Sequence, residues 1–149
     1  MERKTAPLVK SGIYNKGDFT LEDLFISIKS HSKIKDAGSI LSFTGIVRRT
    51  SGDGKLVKGL QIDAYDEMAN KIINKICDET KKKEGIIDVI LVHFKGKFEL
   101  SEDLVHVVVA SSHREEGFTA LRETVEKYKK EITVWKKEEF KNGTSEWVH

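Results

Sequence analysis

The stretch IIDVILVHF (Ile86–Phe94) decides the fold. Apart from Asp88 and His93 it is apolar, it is rich in β-branched side chains, and it is short for a buried helix. That combination reads as a strand covered on both faces. A little further on, LVHVVVASS (Leu104–Ser112) repeats the pattern with a valine run. Two such strands need apolar partners above and below. The sequence on either side supplies them as helices with one oily face.

Three helices are expected. The first starts near Thr20, an N-cap residue followed by Glu22 and Asp23, whose negative charge suits the start of a helix. Leu21, Leu24, Phe25 and Ile28 then recur at helical spacing. The second runs from about Asp66 to Lys82, with Met68, Ala69, Ile72, Ile73, Ile76 and Cys77 on one face and Gly85 closing it. The third begins after His113, carries Phe118, Leu121, Val125 and Tyr128 inward, and ends near Lys130.

Further strands fill the gaps. Ala37–Arg48 reads as a strand with a bulge or close approach at Gly45. Val57–Tyr65 alternates Leu60, Ile62 and Ala64 with Gln61 and Asp63. Joined by the charged Arg49–Lys55 loop, with its SGDG turn signal, the two are expected to form a β-hairpin. Ile132–Val148 reads as a C-terminal hairpin turning at Asn142-Gly143. The order is α-β-β-α-β-β-α-β-β, an α+β chain dominated by antiparallel sheet.

The bulk numbers narrow the class. At 149 residues the chain suits one domain with one core, residues 1–149, with 1–10 loosely ordered and the lone proline, Pro7, ahead of the first element. Apolar residues make up 38 % and charged ones 34 %, a soluble globular balance. A net charge of +2 gives no overall field for nucleic acid, so any anion site must come from local clustering. MERKTAPLVK has no apolar core of a signal peptide, and no stretch is long enough to span a bilayer; a cytoplasmic protein is expected. The single cysteine, Cys77, rules out an internal disulfide and a cysteine-built zinc site. It falls on the apolar face of the second helix, where a packed thiol is the plain reading.

Cations concentrate at three places: Phe43-Thr44-Gly45-Ile46-Val47-Arg48-Arg49, Ser111-Ser112-His113-Arg114, and Lys129–Lys137 around Trp135. His113 and Arg114 sit at a helix start, where unpaired N–H groups already present positive charge and further cations are unfavourable unless an anion joins them. The plain alternative is neutralisation by Glu115 and Glu116. Lys129 at a helix end compensates the dipole in the ordinary way, and Lys136 and Lys137 beside Trp135 make a common surface motif. If Lys129, Lys136, Arg48 and Arg114 share a cavity, their repulsion favours an anionic ligand and lowers a lysine pKa. His93 and His106 lie within strands without metal spacing, so structural roles are expected. Asp66 and Glu67 suit a helix start. No metal and no bound cofactor are implied.

At these places the sequence resembles the large, catalytic subunit of molybdopterin synthase, the MoaE family. The matching stretches are SFTGIVR (Ser42–Arg48), AYDEMANK (Ala64–Lys71), SSHREEGF (Ser111–Phe118), YKKEITVWKKE (Tyr128–Glu138) and the ending at Gly143, Trp147 and Val148. The resemblance implies an α/β-hammerhead fold and a sulfurtransferase. Its members move sulfur from a thiocarboxylated small subunit to cyclic pyranopterin monophosphate, making the dithiolene of molybdopterin. It implies Lys129 and Lys136 as catalytic residues, with Arg48, His113 and Arg114 binding substrate and Phe43 lining the pocket. It also implies a homodimer with a ubiquitin-like carrier ending in Gly-Gly docked at each end, a heterotetramer. Two departures stand out. His93-Phe94 replaces the family's frequent His-Arg, and the sequence stops at His149, short of a basic tail that reaches the neighbouring subunit. The alternatives are a non-catalytic anion- or RNA-binding module using the same cations, and an inactive scaffold subunit.

Overall fold

Alternation along the two valine-rich segments puts odd-numbered side chains on one face of a sheet and even-numbered ones on the other. In the computed structural model, which describes residues 8–148, both faces are covered. The elements in chain order are β1 (Gly12–Asn15), α1 (Leu21–Lys29), β2 (Ser39–Ile46), β3 (Val57–Ala64), α2 (Asp66–Lys81), β4 (Ile86–Glu99), β5 (Asp103–Ser111), α3 (Arg114–Glu131), β6 (Val134–Phe140) and β7 (Ser145–Val148). Val89 and Leu91 of β4 and Val105, Val107 and Val109 of β5 pack against Ala69, Ile73, Ile76 and Cys77 of α2 and Ala120 and Tyr128 of α3. Ile90, Val92 and Phe94, with Val108 and Ala110, face Leu24 and Ile28 of α1. Each fully buried aliphatic side chain contributes on the order of 2 kcal/mol.

The strands run in the order β2-β5-β4-β3-β6-β7, and β1 pairs with β4. Neighbours along this path are antiparallel; β1 lies parallel to β4. The α+β class expected from the sequence is therefore found, with three helices and a C-terminal hairpin whose turn holds Gly143 at φ +87°. Thr20 caps α1 as expected, in a reciprocal box with Asp23. A register shift falls at Gly45/Ile46, where a bulge was expected.

The expected β2–β3 hairpin does not form. β2 pairs with β5, while β3 pairs with β4 and β6; only an isolated bridge, Thr50 to Leu56, links the two arms. The reason lies in β4, which extends beyond Phe94 to Glu99. Its first part pairs with β5 and its last part with β3, so β5 and β4 together stand between β2 and β3. The short strand β1 was also not expected. Of the residues expected to be loose, 1–7, including Pro7, lie outside the described residues, as does His149. Val9, by contrast, is buried and its N–H donates to Ser27 Oγ at 2.9 Å.

Among the described residues no helix is long and apolar enough to cross a membrane. Cys77 is buried in the core, its thiol 3.4 Å from Ser11 Oγ. Phe94 points into the α1-side core and meets His106 edge-on at 5.6 Å. Side-chain volume at this position is thus spent on packing.

Candidate functional site

Two cation groups form at opposite ends of α3. The first is built from β6, the last turn of α3 and the start of the β2–β3 loop. On β6, Lys136 and Glu138 are two residues apart and share a face. Lys136 is half-buried, and burial holds its ammonium below the ordinary lysine range. Lys129, exposed in the last turn of α3, pushes it down further, and Glu138 acts in the opposite sense. Two cations are thus brought together with one of them partly desolvated, which is how a lysine becomes a usable proton donor or acceptor.

Glu138 lies in the field of both Arg48 and Lys136. Burial raises its carboxyl above the ordinary range, repulsion from Asp53 and Glu146 adds to the rise, and Arg48 and Lys136 oppose it. Sequence reasoning passed over Glu138. Its signal is the alternation on β6, which puts it on the Lys136 side. Arg48 itself is exposed, and its Nε donates to Thr50 O at 2.9 Å. That bond fixes the side chain at the root of the loop. The loop is strapped to the C-terminal hairpin: Lys55 Nζ meets Glu146 at 3.3 Å and lies 5.3 Å from the Phe140 ring. Phe43 is half-buried, pairs across the sheet with Val107, and packs on the α2/α3 side.

The second group sits at the start of α3. His113 is the N-cap, with extended backbone, and its N–H donates to Glu116 Oε2 at 3.3 Å. Its ring is 80 % exposed, with Nδ1 3.6 Å from the same carboxylate. The first turn is anchored from below. Gly38 N–H donates to Ser111 O at 2.8 Å, and Ser111 Oγ donates to His113 O at 2.7 Å. A cleft of about 560 Å³ opens there, lined by Gly38, Ser39, Ser112, His113 and Arg114 among others. Glu115 and Glu116 line the same cleft, so the carboxylates and the His113–Arg114 cations share this helix start.

Within one chain these two groups do not meet. Arg114 and Lys129 lie fifteen residues apart on α3, a rise of about 22 Å. The single cavity expected for Arg48, Arg114, Lys129 and Lys136 is not formed by one copy. Arg48, Lys129 and Lys136 gather at one end, and His113 and Arg114 stand at the other.

The remaining candidates have structural surroundings. His106 is buried, with Nδ1 2.9 Å from Thr44 Oγ1. Asp66 forms an ion pair with Lys95 at 2.7 Å at the start of α2. Among the described residues, no three His, Cys, Asp or Glu side chains cluster as a metal site.

Residues 16–131 match the family model described as "MoaE protein". The chain is 40 % identical over 112 residues to the molybdopterin synthase catalytic subunit of Thermoplasma volcanium, covering 75 % of this chain and 81 % of that one. It is 39 % identical over 112 residues to the catalytic subunit of Pyricularia oryzae, covering 75 % of this chain and 61 % of that longer one. The crystal structure of molybdopterin synthase from Staphylococcus aureus superposes with a TM-score of 0.81 at 28 % identity, over 96 % of this chain and 99 % of that one.

Proposed function

This chain belongs to the MoaE protein family, and from that premise we propose that it is the catalytic subunit of molybdopterin synthase. It transfers sulfur from the C-terminal thiocarboxylate of a small carrier protein to cyclic pyranopterin monophosphate, in the cytoplasm. The observation that carries this reading is the Lys129–Lys136 pair, with Arg48 in the field of the neighbouring Glu138.

The chemistry explains the composition of the site. Sulfur arrives on the partner's thiocarboxylate, so this chain needs no thiol of its own, and Cys77 stays in the core. The two reactants are both anions. At an effective dielectric of about 20 their charges repel by about 4 kcal/mol at a separation of about 4 Å. Fixed cations offset that repulsion and hold the reacting atoms together. Lys129, exposed at the helix end, acts at the reacting carbon–sulfur centre by stabilising negative charge or moving a proton. Lys136, partly desolvated, assists at the carboxyl or thiocarboxylate group. Arg48 and Phe43 hold the pterin, the former by its planar fork and the latter by its half-buried ring.

His113 and Arg114 enter the same account from a second copy. With about 22 Å between them and Lys129, they serve the same reactants only across a homodimer, where the start of α3 from one protomer approaches the end of α3 from its partner. A carrier at each outer end then makes a heterotetramer. The basic groups form no continuous stripe, and Glu138, Glu139 and Glu146 interrupt them, so a nucleic-acid surface is not favoured.

Reconstitution tests the proposal. The purified chain, a thiocarboxylated carrier and cyclic pyranopterin monophosphate should yield dithiolene, and the same mixture with unthiolated carrier should not. No product under conditions where an authentic synthase turns over rejects the reading.

A further inference from the structure

β2 and β5 pair residue for residue from Ser39↔Ser111 to Gly45↔Val105, and then the register slips: Ile46, the next residue of β2, pairs with Asp103. Leu104 is therefore the extra residue of a bulge in β5. Arg48 follows just beyond the slip. Register decides which face of a sheet a side chain takes, so this bulge sets the direction in which Arg48 leaves the sheet.

One side chain reaches both sides of the slip. His106 is 1 % exposed, too deep to meet a reactant. Its Nδ1 is 2.9 Å from Oγ1 of Thr44, its cross-strand partner before the slip. A hydroxyl donates or accepts, so this bond forms with either neutral tautomer of the ring. On the other side, Nε2 finds no hydrogen-bond partner among the described residues and lies 3.5 Å from Oδ2 of Asp103, the residue that pairs with Ile46. Phe94 covers the imidazole from β4, edge-on at 5.6 Å. Past the slip the pairing resumes through the backbone. Val47 N–H donates to Glu102 O at 3.1 Å, and Ser101 N–H donates to Val47 O at 2.8 Å. Arg48 comes next, its Nε donating to Thr50 O.

We propose that His106 is a positioning residue for Arg48: it bonds Thr44 before the slip, faces Asp103 after it, and so fixes the bulge that sets where Arg48 leaves the sheet. The hold is local. Without the Thr44–His106 bond, the backbone bonds just past the bulge loosen more than those of the β4–β5 core. Arg48 then has more freedom to lose when it grips an anion, and the loss falls on binding rather than on the reacting step.

That Arg48 binds the pterin phosphate rests on the sulfur-transfer reading; the hold on the bulge does not. Full-length wild-type protein, Thr44→Val, Thr44→Ser and His106→Leu are compared by native-state hydrogen exchange and by turnover with thiocarboxylated carrier and cyclic pyranopterin monophosphate. Thr44→Val keeps the shape of the side chain and removes only its hydroxyl, so it decides the matter even if His106→Leu fails to fold. In Thr44→Val the Val47 and Ser101 amides should lose about fivefold more protection than the amides of the β4–β5 core, the scale of one hydrogen bond. KM for the pterin phosphate should rise about fivefold with kcat within about twofold, as for a loss of uniform binding. Thr44→Ser should restore both. In an Arg48→Ala background, Thr44→Val should raise KM no further. Val47 and Ser101 amides that lose no more protection than the core, in a folded Thr44→Val protein, overturn the inference and leave His106 a packing residue. So does a KM that stays at the wild-type value, or one that rises equally in the Arg48→Ala background. A local loss of protection with no dithiolene from wild type leaves the hold on the bulge standing and rejects the sulfur-transfer reading instead.

Discussion

Lys136 on β6 sits within the field of Lys129 at the end of α3, and that proximity, added to burial, makes it a weaker base than a lysine in water. The two residues come from elements joined by only Ile132 and Thr133. The break after Glu131 thus does more than end a helix; it turns the chain so that two cations seven positions apart converge.

Replacing Lys129 with alanine removes one member of the pair. Dithiolene formation should fall by about 10²–10⁴-fold, the range for loss of a proton-transfer group. Carrier binding should remain measurable by calorimetry. Because Lys129 is the second cause of the Lys136 depression, the Lys136 midpoint should move up towards the ordinary lysine value in this variant. Full turnover in Lys129→Ala would remove that side chain from the chemistry.

Acid should destabilise the fold through His93. Its folded-state value is about 4 against an ordinary 6.5, so the unfolded chain takes up a proton that the folded chain refuses. The stabilisation is complete above about pH 6.5 and is lost progressively as pH falls towards 4, amounting to about 3 kcal/mol. His106 is shifted in the same direction by burial and adds to the slope. Urea unfolding of wild type and His93→Gln between pH 7 and 4 should show the steeper decline in wild type. Parallel declines would mean that His93 ionises freely in the folded chain.

Cys77 should be chemically silent. Burial raises its thiol above the ordinary range, and it lies within the core of α2. Iodoacetamide should label it slowly in the native protein and quickly in denaturant. Cys77→Ala should keep wild-type sulfur transfer once carrier thiocarboxylate is supplied, at a stability cost of about 1 kcal/mol for the emptied volume. Loss of transfer from a folded Cys77→Ala protein would point to a sulfur relay through this chain.

Gly38 should be intolerant of a side chain. A Cβ there would lie 2.4 Å from Ser112 O, a backbone atom with no freedom to rotate away. Gly38→Ala should therefore cost about 1–3 kcal/mol, as overpacking does. It should also disturb the His113–Arg114 turn that Gly38 braces through Ser111. Thermal unfolding reads the first effect, and weaker pterin phosphate binding reads the second. An unaltered Tm would show that this contact opens at no cost.

The sequence makes the elements other than β1 legible, because each rests on local signals: Thr20 and Asp23 for a cap, valine alternation for buried strands, Asn142-Gly143 for a turn. It does not make strand partnership legible. β2 and β3 adjoin in the chain and each alternates, yet β5 and β4, the latter with its continuation through Lys95–Glu99, come between them. That continuation carries Lys95, Gly96 and Lys97, which mask its strand character. The cations themselves are visible from residue type, but their grouping is not. Lys136 and Glu138 share a face by strand periodicity, whereas Arg114 and Lys129 are separated by the length of α3, a distance that residue spacing states plainly once the helix is continuous.

The most direct test of two half-sites meeting across a dimer is subunit mixing. Lys129→Ala and Arg114→Ala proteins are each assayed alone, then unfolded together, refolded as a mixture and assayed with thiocarboxylated carrier and pterin phosphate. Each alone should be nearly inactive, while mixed dimers should regain activity, because one of their two sites then has both Lys129 and the partner's arginine intact. Silence from a mixture shown to contain heterodimers would mean that Lys129 and Arg114 do not serve a common cavity.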